Sequence, residues 1–292
     1  MAHIDLPSPP FIHVPGLANL RDAGGYAIEG QPGKAIRRGV LYRSADLTKL
    51  EDEGVAVLRP LGITHVFDLR SVPELAKSGN HPPKTWEGAA RVFVPVFLDK
   101  DYSPEALATR FRDYSDGAKG FVNAYATILD SAADPDHPHS PFRTVLEHIA
   151  SSAAPSPLLV HCTAGKDTLI LSLCGLDDAT IAQEYSLTDL GLAPRKEEIV
   201  QHLIRGEALF GDRKRAERMV SARHRRSEYM LGTLAMIRER YGSVESYVVD
   251  RLGVSPESVE QIRRNLVVDL AEGEESLDWR SHAAGLAAQP RP

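Results

Sequence analysis

The run His161-Cys162-Thr163-Ala164-Gly165-Lys166-Asp167 brings a nucleophile, a flexible turn, a cation and a carboxyl group into one short stretch. An apolar run, Pro157 to Val160, precedes it, and Gly165 lies within it, as in a strand that turns through a loop into a helix. In such a turn the backbone N–H groups converge on one point, and the helix dipole adds to their pull on an anion. The same field favours a thiolate, so one loop can activate Cys162 as nucleophile and bind a phosphoryl group. The candidate phosphate-binding residues are Thr163, Ala164, Gly165, Lys166 and Thr168. Asp167 is the candidate general acid for a leaving oxygen. Asp68, at a predicted strand end, is the reserve candidate, with a structural hydrogen-bonding role as the simpler expectation.

Two other chemistries do not fit these residues. A nucleotide-binding Walker loop needs glycine five residues before Gly165 and Ser or Thr after the lysine, where this chain has Val160 and Asp167. A cysteine-protease dyad needs a histidine directed at the thiol, but His161 is the immediate neighbour and on a strand points to the other face. Its expected role is to stiffen the loop through hydrogen bonds.

The heptad His161 to Asp167 resembles the signature of the cysteine-dependent protein tyrosine phosphatases, in the fungal and bacterial branch that reads His-Cys-x-x-Gly-Lys-Asp-Arg-Thr-Gly. Further stretches are similar to the family's in the usual order: Asn19 to Tyr26, Arg38 to Ser44, Leu61 to Ile63 leading to Asp68-Leu69-Arg70-Ser71, Ala182 to Thr188, and Arg238 to Ser243. The resemblance spans residues 11–270. It implies hydrolysis of phosphotyrosine-type monoesters, with phosphoserine and phosphoinositides as further substrates, through a cysteinyl-phosphate intermediate and with no metal or other cofactor. The implied partners are phosphorylated proteins or phosphoinositides.

One position departs from the pattern. Where the family places an arginine, six residues after the cysteine, this chain has Thr168. The arginine's forked grip on phosphoryl oxygens carries charge that builds up in transfer, and one neutral hydroxyl cannot replace it. From Thr168 to Cys174 there are also too few residues for the helix that normally follows, as though Arg-Thr-Gly and a turn of apolar helix were deleted. A loss of about seven residues is near two helical turns and keeps the buried face in register. The alternative expectation is therefore a catalytically impaired chain, or one shortened by splicing or gene prediction, that binds phosphorylated partners.

The elements that must position the loop follow an alternating order. Apolar, β-branched runs at Val40 to Tyr42, Ile63 to Leu69, Val92 to Phe97 and Leu158 to Cys162 predict short buried strands. Phe121 to Leu129 and Phe142 to Ala150 predict helices, separated by Asp134-Pro135-Asp136-His137-Pro138-His139, which reads as a solvated loop and not as a metal site. Met230, Leu234, Ile237 and Tyr241 share a helical face. The expected fold is α/β, phosphatase-like, with a mostly parallel central sheet flanked by helices and a helical cap. That cap is placed at about residues 190–228, and residues 271–292 read as a disordered tail.

Composition fits this outline. At 292 residues, 42% hydrophobic and with a net charge of −6, the chain can bury a large core. Of its two cysteines, Cys174 lies among leucines and reads as core packing. Two thiols suit a reducing compartment, and neither a membrane span nor a signal peptide is evident, so the cytoplasm is the expected location. Residues 205–226 hold eight Arg and Lys against three Asp and Glu. This segment reads as a solvated helix face or as a basic lid that steers anionic substrates. Aromatic residues do not interleave with it, which argues against nucleic acid.

Overall fold

The computed structural model of the chain describes residues 6–77, 84–98, 103, 106, 109, 113, 116–162, 168–205, 211–221 and 226–278. Its strands are Arg21–Asp22 (β1), Lys34–Ile36 (β2), Leu41–Ser44 (β3), His65–Asp68 (β4), Ala90–Phe93 (β5), Leu158–His161 (β6) and Val267–Asp269 (β7). Five of them form a sheet in the order β1-β3-β6-β4-β5. The neighbours among β3, β6, β4 and β5 are parallel and β1 is antiparallel. The four predicted runs thus become the four parallel strands. The run Val92 to Phe97 differs: β5 starts at Ala90 and ends at Phe93, because Pro95 has no N–H to continue a ladder.

Both faces of the sheet are covered, as continuous apolar strands require. The helices are Asp52–Leu58 (α1), Val72–Lys77 (α2), Gly117–Ala132 (α3), Pro141–Ala150 (α4), Thr168–Leu173 (α5), Asp178–Gly191 (α6), Lys196–Arg205 (α7), Arg213–Ser221 (α8), Arg226–Tyr241 (α9) and Pro256–Leu266 (α10). Leu41, Phe67, Leu158 and Val160 face a large core with Tyr125 of α3, Val145 of α4, Ile170 of α5, Tyr185 of α6, Met230 of α9 and Ile262 of α10. Tyr42, Val66 and Leu159 point the other way, toward Val14, Leu47, Val55 and Leu58. The period of two along each strand separates these sets. The stripe on α9 packs as expected, with Met230, Leu234 and Ile237 buried. Helices α7 and α8 have a small core of their own, where Val200 and Ala216 meet Leu203, Ile204 and Val220.

Two expectations change. The 134–139 loop is not merely solvated: His137 is buried and its Nε2 lies 3.3 Å from the Val96 carbonyl, which also accepts the Ser131 hydroxyl at 2.8 Å. Nor does the ordered chain stop at Ala271. The Leu277 N–H donates to Gly25 O at 2.7 Å and Arg38 Nη2 to Glu275 O at 3.0 Å, so the segment after β7 straps the N-terminal region. Residues 279–292 lie outside the described residues.

Strand β6 sits at the centre of the sheet and leads directly to Cys162, and its Leu158 is fully buried. Leu158→Ala is expected to cost about 3 kcal/mol, read as a lower urea midpoint with an unchanged slope.

Candidate active site

The carboxyl ends of β3, β6 and β4 meet in register, with Ser44 opposite His161 and His161 opposite Asp68. Open parallel sheets bind ligands at this edge. Cys162 follows β6 there, partly buried, on the face shared by Val160 and the large core. Residues 163–167, with the candidates Thr163, Ala164, Gly165, Lys166 and Asp167, lie outside the described residues. Thr168 opens α5, whose Ile170, Leu171 and Leu173 are buried, so the shortened helix still presents its apolar side to the core. A small apolar cleft lies on the same face as Cys162, between Leu69, Val160, Phe142, Leu146 and Leu169.

Asp68 is fully buried and forms the hub of a cation cluster that sequence reasoning missed. Arg70 grips it with two bonds of 2.9 Å, and Arg91 adds bonds of 3.1 and 2.7 Å. Arg70 also donates to Thr48 Oγ1 at 3.1 Å. Burial alone would raise the Asp68 carboxyl, but the Arg70 hydrogen bond, the charges around it and the Arg91 bond hold it at about 2. An acid ionised so strongly has no proton to give near neutrality. These bonds support the structural hydrogen-bonding role that is the simpler expectation for Asp68. The pairing was hidden because Arg91 comes from the neighbouring strand, 23 residues away.

His161 points to the face opposite Cys162, as the strand period requires, and is fully buried. The expected stiffening hydrogen bonds are not found: among the described residues neither ring nitrogen has a hydrogen-bond partner, and Asp68 Oδ1 is 3.6 Å away. Burial lowers its pKa to about 4. Asp46, 7% exposed, accepts from Arg195 at 2.8 Å, and Lys49 pairs with Glu198 of α7 at 2.8 Å, so the segment after β3 is tied to the helix pair α7 and α8. Cys174 is buried in the core, which pushes its thiol up to about 12.

A model of the tyrosine phosphatase family matches residues 12–268. The chain belongs to the tyrosine phosphatase family. Its function is that of a protein tyrosine phosphatase, an enzyme of the hydrolase class. Among its relatives, the triple specificity protein phosphatase PtpB of Mycobacterium tuberculosis is 30% identical over 279 residues, covering 86% of this chain and 96% of that protein. A tyrosine-protein phosphatase of Nostoc commune is 25% identical over 261 residues, covering 84% of this chain and 83% of its own length. Among the described residues of the phosphatase, no helix is long and apolar enough to cross a membrane.

Two outcomes are expected for the cluster around Asp68. Between the ordinary histidine value of 6.5 and about 4, unfolded His161 takes up a proton that the folded phosphatase refuses, so stability falls as pH drops through that window. The loss should be about 3 kcal/mol by urea unfolding at the two ends of the window, and His161→Gln should flatten it. Asp68→Asn, which leaves Arg70 without its countercharge, should cost about 3 kcal/mol. A urea midpoint that stays in place while turnover collapses would return Asp68 to a catalytic role.

Proposed function

We propose that this phosphatase hydrolyses aryl phosphate monoesters, phosphotyrosine first among them, with Cys162 as nucleophile. The observation that supports this most is the position of Cys162: a partly buried thiol at the carboxyl edge of the central parallel strand, in a chain whose other cysteine is sealed in the core. The Cys162 thiolate attacks phosphorus and the bond to the ester oxygen breaks, while Asp167 delivers its proton to that oxygen. Water then attacks the cysteinyl phosphate, Asp167 takes the proton back, and inorganic phosphate leaves with the thiolate restored. Thr163, Ala164, Gly165 and Thr168 cradle the phosphoryl oxygens and Lys166 adds a point charge.

The finer reading adds phosphoserine and phosphoinositides to the substrates. It draws on the name of the mycobacterial relative, which records three specificities, and on the basic segment 205–226 acting as a lid over the loop. The ties from Arg195 to Asp46 and from Lys49 to Glu198 anchor such a lid near the end of β3. Reversing the charges of Arg223, Arg225 and Arg226 should reduce turnover of a phosphoinositide more than that of a small aryl phosphate. A cytoplasmic location, where a catalytic thiolate stays reduced, belongs to the same reading.

Thr168 sets the expected rate. Removing one transition-state donor costs ~10²–10³, and a bidentate guanidinium is worth at least that. An aryl phosphate assay is therefore expected to find slow turnover, abolished by Cys162→Ala. A chain with an Arg-Thr-Gly-containing helical segment restored after Asp167 should be at least ~10²-fold faster. If the restored chain and the natural one are both silent although folded, the proposal fails. If only the natural one is silent, the family's activity is intact everywhere except at the gap after Asp167.

A further inference from the structure

The turn after β3 holds the base of the helix pair α7 and α8. Leu47 is fully buried against Val14 and Leu58 and fixes the turn from within. On either side of it, Asp46 and Lys49 reach Arg195, which immediately precedes α7, and Glu198 in the first turn of α7. Asp46 Oδ2 accepts from Arg195 Nη1 at 2.8 Å, and Arg195 Nη2 and Nε donate to the two Glu198 oxygens at 3.0 and 3.2 Å. Glu198 Oε2 in turn lies 2.8 Å from Lys49 Nζ. The four side chains form a closed ring of alternating charge that begins and ends on one turn.

The ring is buried at one end and open at the other, with Asp46 buried and Lys49 59% exposed. Burial would raise the Asp46 carboxyl, but the charge and hydrogen bond of Arg195 hold it below its ordinary value. Asp46 Oδ1 also accepts from the Thr48 N–H at 3.3 Å, and the Thr48 hydroxyl accepts from Arg70 at 3.1 Å. The turn is therefore bonded both to the helix pair and to the Asp68 cluster at the end of β4.

The helix pair has few apolar means of holding that place. Val200, Ala216, Leu203, Ile204 and Val220 pack on one another, and none of the five belongs to either core beside the sheet. Arg213 of α8 bonds to Glu197 of α7 at 2.9 and 2.8 Å, which joins the two helices to each other. Helix α8 carries four Arg and Lys against one Glu, with Arg213 and Lys214 exposed. Whatever fixes the base of α7 therefore fixes where these cations stand relative to the carboxyl edge of the sheet.

We propose that the ring of Asp46, Arg195, Glu198 and Lys49 is a positioning device for a second anionic group on the substrate. By docking α7 and α8 at the end of β3, it sets the cations of α8 where an inositol headgroup with more than one phosphate reaches them from the Cys162 site. The ring acts through α8 and touches no phosphate itself. The proposal rests on the reading of the basic segment as part of the substrate site and deepens it by naming what holds that segment. The docking itself can be read with no substrate present.

The test uses the full chain carrying Cys162→Ala, so that nothing is turned over. Into it go Asp46→Asn and Glu198→Gln, which each remove a negative charge, and Arg195→Gln, which removes a positive one. Calorimetry gives the dissociation constant for inositol trisphosphate, and mass spectrometry gives amide exchange in α7, α8 and β6. If the ring acted only through its net charge, losing either carboxylate would strengthen binding of an anion. A broken dock weakens binding whichever member is lost. All three variants are expected to raise the dissociation constant by about fivefold. Exchange in α7 and α8 should quicken by about tenfold while β6 is unchanged. Asp46→Asn and Arg195→Gln together should bind no more weakly than either alone, because both break the same link.

Tighter binding on loss of either carboxylate would overturn the proposal, as would unchanged exchange in the helix pair or exchange that quickens equally in β6. So would a ring-intact chain that does not bind the trisphosphate. Should Asp46→Asn not fold, Glu198→Gln at the open end of the ring decides alone, since Glu198 is 42% exposed. The expected pattern in a chain whose Cys162 form turns over no aryl phosphate would sustain this proposal while defeating the proposed activity.

Discussion

One carboxylate ties two N-terminal strands to a helix in the second half of the chain. Glu184 reaches from α6 to Arg21 on β1 and Arg43 on β3, joining residues 163 and 141 positions away. Burying three charges costs several kcal/mol per ion. That cost is offset only because the bonds are short and the remaining donors of Arg21 find Asn19 and Thr188. Asn19 adopts the left-handed backbone with φ of 62° to do so, and Gly191 has no side chain because a Cβ there would lie 2.0 Å from Asn19 Oδ1. The glycine that ends α6 and the strained asparagine before β1 thus serve the same ion cluster.

The opposite face of the sheet repeats the device with the ratio kept but the parts exchanged. Asp68 is the shared carboxylate, Arg70 and Arg91 the guanidiniums, and His161 the neutral ring beside them. Cys162 leaves β6 between the two clusters. Buried ion clusters therefore flank the carboxyl edge of the sheet from both faces, held in place by strands and helices. Such fixed dipoles and charges need no reorganisation when an anion arrives.

The parallel strands and the core helices were legible because their signal is local: apolar runs, period-two alternation and the stripe on α9 are written in consecutive residues. The place of Cys162 at a strand end was legible for the same reason, since the apolar run Leu158 to Val160 leads into it. What escaped were partnerships over distance. Strands β1, β2 and β7 are two or three residues long and carry no period of their own. The pairing of Arg21 with Arg43 emerges only when the register opposes them and α6 covers them. Asp68 looked like a spare acid because nothing in Asp68-Leu69-Arg70 announces Arg91, and His137 looked solvated between two prolines until Val96 came to meet it.

The pairing of β2 with β7 carries a consequence for how the chain is made. Lys34 opposes Asp269 and Ile36 opposes Val267, and Leu277 bonds back to Gly25. During synthesis from the N-terminus, one edge of β2 can pair at once with residues 25–28, but its other edge waits until residues 267–269 have emerged, and Arg43 waits for Glu184 through much of the same interval. Closure so late and so long-range is slow and leaves an unfinished edge exposed to neighbouring nascent chains. For this phosphatase, a stretch made late is the clasp that completes one made early.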